Sequence, residues 1–173
     1  MTTLNKTEGD LLAMARKGQF DIIVHGANCF NKMASGIAGQ ISREHPEAAE
    51  ADRATESGDR GKLGNYTMAH VREIWMIQRA FTIVNAYTQY TYGRGEDLFE
   101  YNSFENFLKS FETFLRKVYV LAGADKKTRV GFPYIGCGLA GGDEQRIVEM
   151  IENFSVSCQD IADVTLVRFV RDT

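Results

Sequence analysis

The chain has 173 residues, of which 44% are hydrophobic and 25% are charged, as in an ordinary globular domain. Lys and Arg number 20 against 23 Asp and Glu, so the net charge is −3, and the chain lacks the basic surface of a general nucleic-acid-binding protein. The length predicts one domain over residues 1–173, large enough to bury about 70% of its unfolded surface.

The cysteines are odd in number and show no CxxC spacing; they are Cys29, Cys137 and Cys158. This pattern predicts a reduced, cytoplasmic protein without a structural zinc. Cys29 and Cys137 lie in glycine-rich regions, so each is interpreted either as a thiol nucleophile or as a small apolar filler. No apolar run reaches the length of a signal-peptide core or a membrane span.

In the first half of the chain, residues 20–25 are rich in β-branched side chains and do not alternate, which is typical of a strand buried on both faces. Asp10 is a good N-cap for the short apolar helix that follows it. Pro46 suits the first turn of a helix. The predicted elements are an edge strand at 2–6, a helix at 11–16, a strand at 20–25, and helices at 36–44 and 46–58.

In the second half, strands are predicted at 65–70, 74–78 and 81–87, forming an antiparallel meander. The segment 90–101 carries glycines and acidic residues and is interpreted as an exposed, mobile loop. A long helix follows a cap at Asn102 or Ser103, and phenylalanines spaced by three and four predict its buried face. Gly123 ends it, and the remaining elements are a strand at 128–132, a helix at 143–154 and a strand at 163–170.

This order of elements predicts an α/β fold, a three-layer α/β/α sandwich with a mixed central sheet. Ligands of such sheets bind outside the carboxyl ends of the strands, where two loops converge. The loops that follow His25 and Phe132 are therefore the expected pair.

The loop after Phe132 contains four glycines between Gly136 and Gly142, before a predicted helix. Glycine tolerates positive φ and has no Cβ, so such a loop can turn its amides toward a ligand at close range. Successive amides at a helix N-terminus form a concave anion site. We interpret the loop as a diphosphate cradle, the alternative being a turn that simply requires glycine.

Four segments in this order resemble the macrodomain family, the ADP-ribose-binding α/β fold, and they span nearly the whole chain. The resemblance is to the branch of ADP-ribose-1″-phosphate phosphatases and terminal ADP-ribose glutamate hydrolases. The segments are Gly9-Asp10-Leu11, Asp21 to Asn28, Ser35-Gly36-Ile37-Ala38, and Gly136-Cys137-Gly138-Leu139-Ala140-Gly141.

The resemblance implies a binding site for ADP-ribose derivatives. Asp10 would accept a hydrogen bond from the adenine amino group beside Leu11, and Asn28, after Gly26, would bind the distal ribose. The amides expected to surround the diphosphate and distal ribose are those of Ser35, Gly36, Ile37 and Ala38, and of Gly136, Cys137, Gly138, Leu139, Ala140 and Gly141.

Two departures from the family pattern matter. Ala140 stands where many macrodomains place an aromatic residue beside the distal ribose, which leaves room for an added phosphate. The hydrolase branch has a Lys before the long helix and an Asp after its GCGL loop, whereas this chain has Tyr87-Thr88-Gln89 and Ala140. Removal of ADP-ribose from protein through a lysine adduct is therefore disfavoured.

The predicted catalytic residues are His25 and Asp143, each at the edge of one loop. His25 titrates in the range useful for a general acid or base. Its alternative role is that of a strand-end histidine bonded to the backbone, and that of Asp143 is a helix N-cap. Tyr87 and Gln89 are candidates for the wall of the site, and His45 and His70 are expected at the surface or behind it. No metal or other cofactor is expected.

Two functions from different classes follow. The first is hydrolysis of ADP-ribose-1″-phosphate to ADP-ribose and phosphate, and the second is recognition of ADP-ribose, or of ADP-ribosylated protein, without turnover. Removal of ADP-ribose from protein is the further alternative. No membrane or nucleic-acid partner is expected.

Overall fold

The computed structural model describes residues 3–170 and shows a six-stranded sheet with helices on both faces. The strands are β1 (Asn5–Gly9), β2 (Ile22–Asn28), β3 (Tyr66–Val71), β4 (Phe81–Gln89), β5 (Thr128–Phe132) and β6 (Ala162–Phe169). The helices are α1 (Leu11–Arg16), α2 (Gly36–Glu44), α3 (Pro46–Arg53), α4 (Tyr101–Leu121) and α5 (Glu144–Ser157). Within residues 3–170, no helix combines the length and apolar character needed to cross a bilayer.

The strand order is β1-β6-β5-β2-β4-β3. The β3–β4 pair is antiparallel and the other pairs are parallel, so the predicted α/β sandwich with a mixed sheet is confirmed. Helices α4 and α5 cover one face of the sheet and α1 to α3 the other. The apolar cluster on the first face includes Phe104, Phe107, Phe111, Ile147 and Val24, and that on the second includes Leu12, Ile41, Ala48, Ile23 and Ile83.

The predicted strand at 74–78 is wrong. The chain turns tightly there, with Ile74 and Gln78 forming an isolated bridge and Met76 in the left-handed region at φ 61°. β3 and β4 are therefore joined directly as a two-stranded hairpin, without the third strand between them that the predicted meander contains. The apolar run that suggested a strand is exposed at the hairpin tip, where Trp75 is 84% accessible.

Smaller differences concern element ends. The first strand occupies Asn5–Gly9 rather than 2–6, and Thr2 lies outside the described residues. Helix α3 ends at Arg53, and α4 begins at Tyr101, before both predicted caps. The segment 90–100 is only partly exposed, because Phe99 is buried in the core beside α4.

A polar network is buried between the sheet and α3. The His25 ring lies 2.6 Å, Nε2 to Oδ1, from Asn85, whose Nδ2 donates to the carbonyl of Ala48 and to Thr67 Oγ1. Burial lowers the pKa of His25 from its ordinary value of 6.5, because a charged imidazolium would lose its hydration there. His25 is therefore neutral in the folded protein at neutral pH.

This burial predicts a pH dependence of stability. Because the unfolded chain binds a proton at His25 near pH 6.5 and the folded chain does so only at lower pH, the stabilising contribution is present above pH 6.5 and is lost as the pH falls below it. The slope from this group reaches at most about 1.4 kcal/mol per pH unit. Urea unfolding of the wild type and of His25→Gln between pH 7.5 and 5.0 checks this, and equal slopes in the two proteins would contradict it.

Candidate functional site

Two loops meet at one edge of the sheet because the strands before them are neighbours. β2 and β5 pair in parallel, with Ile22 opposite Val130 and Ile23 opposite Gly131. Their carboxyl ends therefore point the same way, and the loops 29–35 and 133–143 emerge side by side. Asn28 and Gly138 line the same cavity.

The first loop ends at the N-terminus of α2. Gly36 begins the helix at φ 56°, in the left-handed region that favours glycine. Ser35 makes no side-chain capping bond. The first amides of an α-helix have no partner inside the helix, so those of Gly36, Ile37 and Ala38 remain for a ligand.

The second loop has a fixed backbone. Gly142 N donates to Gly136 O at 2.8 Å, and Gly141 N donates to Gly138 O at 3.1 Å. Gly136 has φ 75°, and a Cβ there would overlap the ring of Phe99. Only glycine therefore permits this approach of segment 90–100 to the loop.

Segment 90–100 also orients the peptide groups of the second loop. Gly95 N donates to Leu139 O, and Leu98 N and Phe99 N both donate to Ala140 O. In a trans peptide unit the C=O and N–H bonds point in opposite directions. Because the Leu139 carbonyl faces segment 90–100, the N–H of Ala140 is turned away from that segment.

The site consists of two adjoining cavities. The first, of about 340 Å³, is lined by both loops and by the carboxyl ends of β2 and β4. The second, of about 410 Å³, lies between the start of α1, the start of α2 and the end of β6. Gly36, Ile37 and Pro133 line both cavities, so the two form one elongated cleft.

Most predicted ligand-binding residues line this cleft. The first cavity is lined by Gly26, Asn28, Ser35, Gly36, Ile37, Ala38, Gly136, Gly138, Leu139 and Ala140, and the second by Asp10 and Leu11. Asp10 also caps α1, since its Oδ1 accepts a bond from Ala13 N at 3.1 Å.

The amide of Asn28 is largely committed to its own loop. Its Oδ1 accepts a bond from Phe30 N at 2.9 Å, and its Nδ2 donates to Lys32 O at 2.8 Å. Asn28 therefore shapes the first loop in addition to lining the cavity.

The two predicted catalytic residues do not line the cleft. His25 is 1% accessible, and its ring is held by Asn85 on the face of the sheet covered by α3. Asp143 is exposed and caps α5 by accepting a bond from Arg146 N at 3.3 Å. The alternative interpretation of Asp143, an N-cap, describes its position. His25 lies inside β2 and bonds to the Asn85 side chain, so it matches neither the catalytic interpretation nor that of a strand-end histidine bonded to the backbone. The structure thus corrects the placement of both residues at the edge of the site.

Two members of the second loop also lie outside the lining. The Cys137 thiol contacts Ile135 O at 3.6 Å, and burial raises its pKa to about 11, so it is not a thiolate at neutral pH. Gly141 is packed against the backbone of Gly95 and Glu96, where a Cβ would not fit. Both residues therefore stabilise the loop without lining the cavity.

Tyr87 and Gln89, the candidates for the wall of the site, occupy different environments, and so do the two remaining histidines. Gln89 lines the first cavity, whereas Tyr87 is buried and its hydroxyl donates to Asp52 Oδ1 at 2.8 Å. His45 is buried between α2 and α3, and His70 is exposed on β3.

Several further residues line the cleft that the sequence did not indicate. The first cavity also contains Lys32 and Tyr92, and the second contains Arg43 and Phe169. Phe169 is 64% accessible at the end of β6, and an aromatic residue at a strand end in a polar context is the signal that could have found it. Lys32 and Tyr92 lie in loops whose path depends on tertiary contacts, so their spacing in the sequence does not indicate that they line a cavity.

Within residues 3–170, no group of three or more His, Cys, Asp or Glu side chains is arranged to hold a metal ion.

Comparison with known proteins finds a relative in sequence and several in structure. No protein-family model matches the chain. An uncharacterized 17.5 kDa protein from the tk–vs intergenic region of Enterobacteria phage T4 is 32% identical over 149 residues, which cover 86% of this chain and 87% of that protein.

Two solved structures with a similar fold are macrodomains. The macrodomain of Mycobacterium tuberculosis DarG superposes with a TM-score of 0.69 at 19% identity, covering 96% of each chain. The Trypanosoma brucei macrodomain in complex with ADP-ribose gives 0.59 at 14% identity, covering 96% of this chain and 63% of that one. The chain therefore belongs to the same family as the phage T4 protein, and its fold is that of the macrodomains.

Proposed function

We propose that the chain binds ADP-ribose in the two-cavity cleft. The adenosine occupies the second cavity, the diphosphate lies where Gly36 and Ile37 border both cavities, and the distal ribose fills the first. The observation that carries this proposal is that one cavity is lined by two groups of residues that contribute backbone amides left unpaired within the described part of the chain. These are the first-turn amides of α2 and those of Gly136, Gly138, Leu139 and Ala140, which find no partner among residues 3–170.

Amide donors suit this ligand because the chain is acidic overall. With a net charge of −3, the protein does not attract anions at long range, so a diphosphate must be held by local dipoles. The N-terminus of α2 adds its positive end at the point where the cavities join. Binding of ADP-ribose by the Trypanosoma brucei macrodomain, which has the same fold, supports the assignment.

A carboxylate placed in the first cavity tests the diphosphate site. Gly138 lines the cavity, and a Cβ added there would meet no other atom within 4 Å, so Gly138→Asp fits without distorting the loop. Like charges held together cost several kcal/mol. We therefore expect ADP-ribose affinity to fall at least about 100-fold from a wild-type Kd of about 1 μM. Isothermal titration calorimetry measures this.

The control is Thr113→Asp, which adds the same charge at an exposed position on α4. It should bind ADP-ribose like the wild type. If Gly138→Asp retained wild-type affinity, or if the wild type gave no heat with ADP-ribose, the proposal would fail.

Phe169 tests the adenosine end of the cleft. Its ring lines the second cavity together with Asp10 and Leu11, where a base can stack on it. Phe169→Ala should weaken both AMP and ADP-ribose by about 10-fold, whereas Phe169→Tyr should retain the affinity because it keeps the ring. Unchanged AMP affinity in the alanine variant would remove Phe169 from the site.

Hydrolysis of ADP-ribose-1″-phosphate is a second candidate function, favoured by the position of Lys32. Lys32 lines the first cavity beside Asn28, where the distal ribose would lie, and among residues 3–170 it is the one cationic residue in that lining. Gln89 also lines this cavity; its Nε2 donates to Thr91 O, which leaves its Oε1 to orient a water. Water would add to phosphorus as the bond from phosphorus to the ribose oxygen breaks, and that oxygen would leave with a proton.

Phosphate release from the 1″-phosphate distinguishes the candidates. An enzyme should release phosphate, Lys32→Met should lower the rate by at least about 10-fold through lost charge stabilisation, and His25→Ala should retain it if the variant folds. Absence of release from a wild type that binds ADP-ribose leaves recognition of ADP-ribose or ADP-ribosylated protein. Loss of release in a folded His25→Ala variant would contradict our placement of His25 away from the reacting centre.

A further inference from the structure

A buried lysine outside both cavities holds the first loop. Lys62 is 7% accessible and ends a 3₁₀ turn at Arg60–Lys62. Its Nζ donates to Asn31 Oδ1 at 2.7 Å and to Thr55 Oγ1 at 2.9 Å, and it lies 5.3 Å from the centre of the Tyr87 ring. An ammonium removed from water is tolerated only when hydrogen-bonded, so these contacts fix its position.

Asn31 is the residue through which Lys62 reaches the loop. Its φ is 59°, in the left-handed region, and its Nδ2 donates to Thr55 O at 3.0 Å. Both polar atoms of the Asn31 side chain are therefore bonded to partners outside the loop. Asparagine tolerates this backbone conformation better than most residues, and the two bonds select it.

The first loop is thus held from two sides. Asn28 bonds to Phe30 and Lys32 from the side of the cavity, and Lys62 and Thr55 hold Asn31 from the opposite side. Asn28 and Lys32 line the first cavity, whereas neither they nor Asn31 line the second. A change at Lys62 should therefore affect one end of the cleft only.

We propose that Lys62 is a positioning residue for the first cavity. By holding Asn31 it sets the backbone at Lys32 and so the shape of the pocket that receives the distal half of the ligand. This inference rests on the proposed binding of ADP-ribose, in which the distal ribose occupies the first cavity and the adenosine occupies the second.

The test compares two ligands on one variant. Lys62→Met keeps a long side chain without the ammonium, and titration calorimetry should show ADP-ribose affinity reduced about tenfold or more while AMP affinity stays at the wild-type value. Equal ADP-ribose affinity in variant and wild type would overturn the positioning role. Equal weakening of both ligands would also overturn it, because that result indicates a general structural role.

A second variant keeps the test valid if Lys62→Met does not fold. Asn31→Gly permits the positive φ and removes the side chain that Lys62 holds. It should give the same selective loss of ADP-ribose affinity, and the double variant, where it folds, should lose no more than either single variant because both act through one contact. Additive losses would overturn the coupling, whereas a wild type that binds AMP but not ADP-ribose would instead overturn the proposed function.

Discussion

The cleft depends on the contact between segment 90–100 and the second glycine-rich loop. Phe99 is seated against Gly136 at a distance that excludes any Cβ, and three amides of the segment bind the carbonyls of Leu139 and Ala140. A loop of glycines has many accessible conformations, and these contacts select one of them. With its carbonyls bound on one side, the loop presents amides on the other. The proposed anion site thus depends on packing against the side of the loop that faces away from the cavity.

The electrostatics of the cleft agree with a small, locally held anion. Backbone dipoles occupy the middle of the cleft, where Gly36 and Ile37 border both cavities, and single cationic residues lie toward its ends, Lys32 in the first cavity and Arg43 in the second. Fixed dipoles in a restricted space stabilise charge without recruiting a long-range field, which suits a protein with net charge −3. The apolar walls, Ile37 and Phe169 among them, add contacts for a sugar or a base.

Several parts of the fold and of the cleft are predictable from short sequence patterns, because interactions between neighbouring residues determine those parts. The run 20–25 has the composition of a doubly covered strand, and the capping role of Asp10 follows from its place before an apolar helix. The glycine cluster indicates where amides are exposed. The failures concern His25 and Asp143, which the sequence places near the two loops. His25 lies inside β2, and its side chain points to the face covered by α3, whereas Asp143 caps α5. Proximity in sequence does not report which face of the sheet a side chain occupies. Residues 74–78 have the apolar composition that is typical of a strand, but they form the exposed hairpin tip at Trp75.

The sequence by itself determined the order of elements apart from the extra strand at 74–78, the α/β architecture, and the two loops at the carboxyl ends of β2 and β5. Strand and helix periodicity and the conformational freedom of glycine act over a few residues, so a local pattern reports them. Only the tertiary structure decided that Phe169, Arg43, Lys32 and Tyr92 complete the cleft and that Lys62 holds the first loop. Those placements join segments that lie far apart in the chain. Their geometry is fixed by packing across the sheet, which no local pattern encodes.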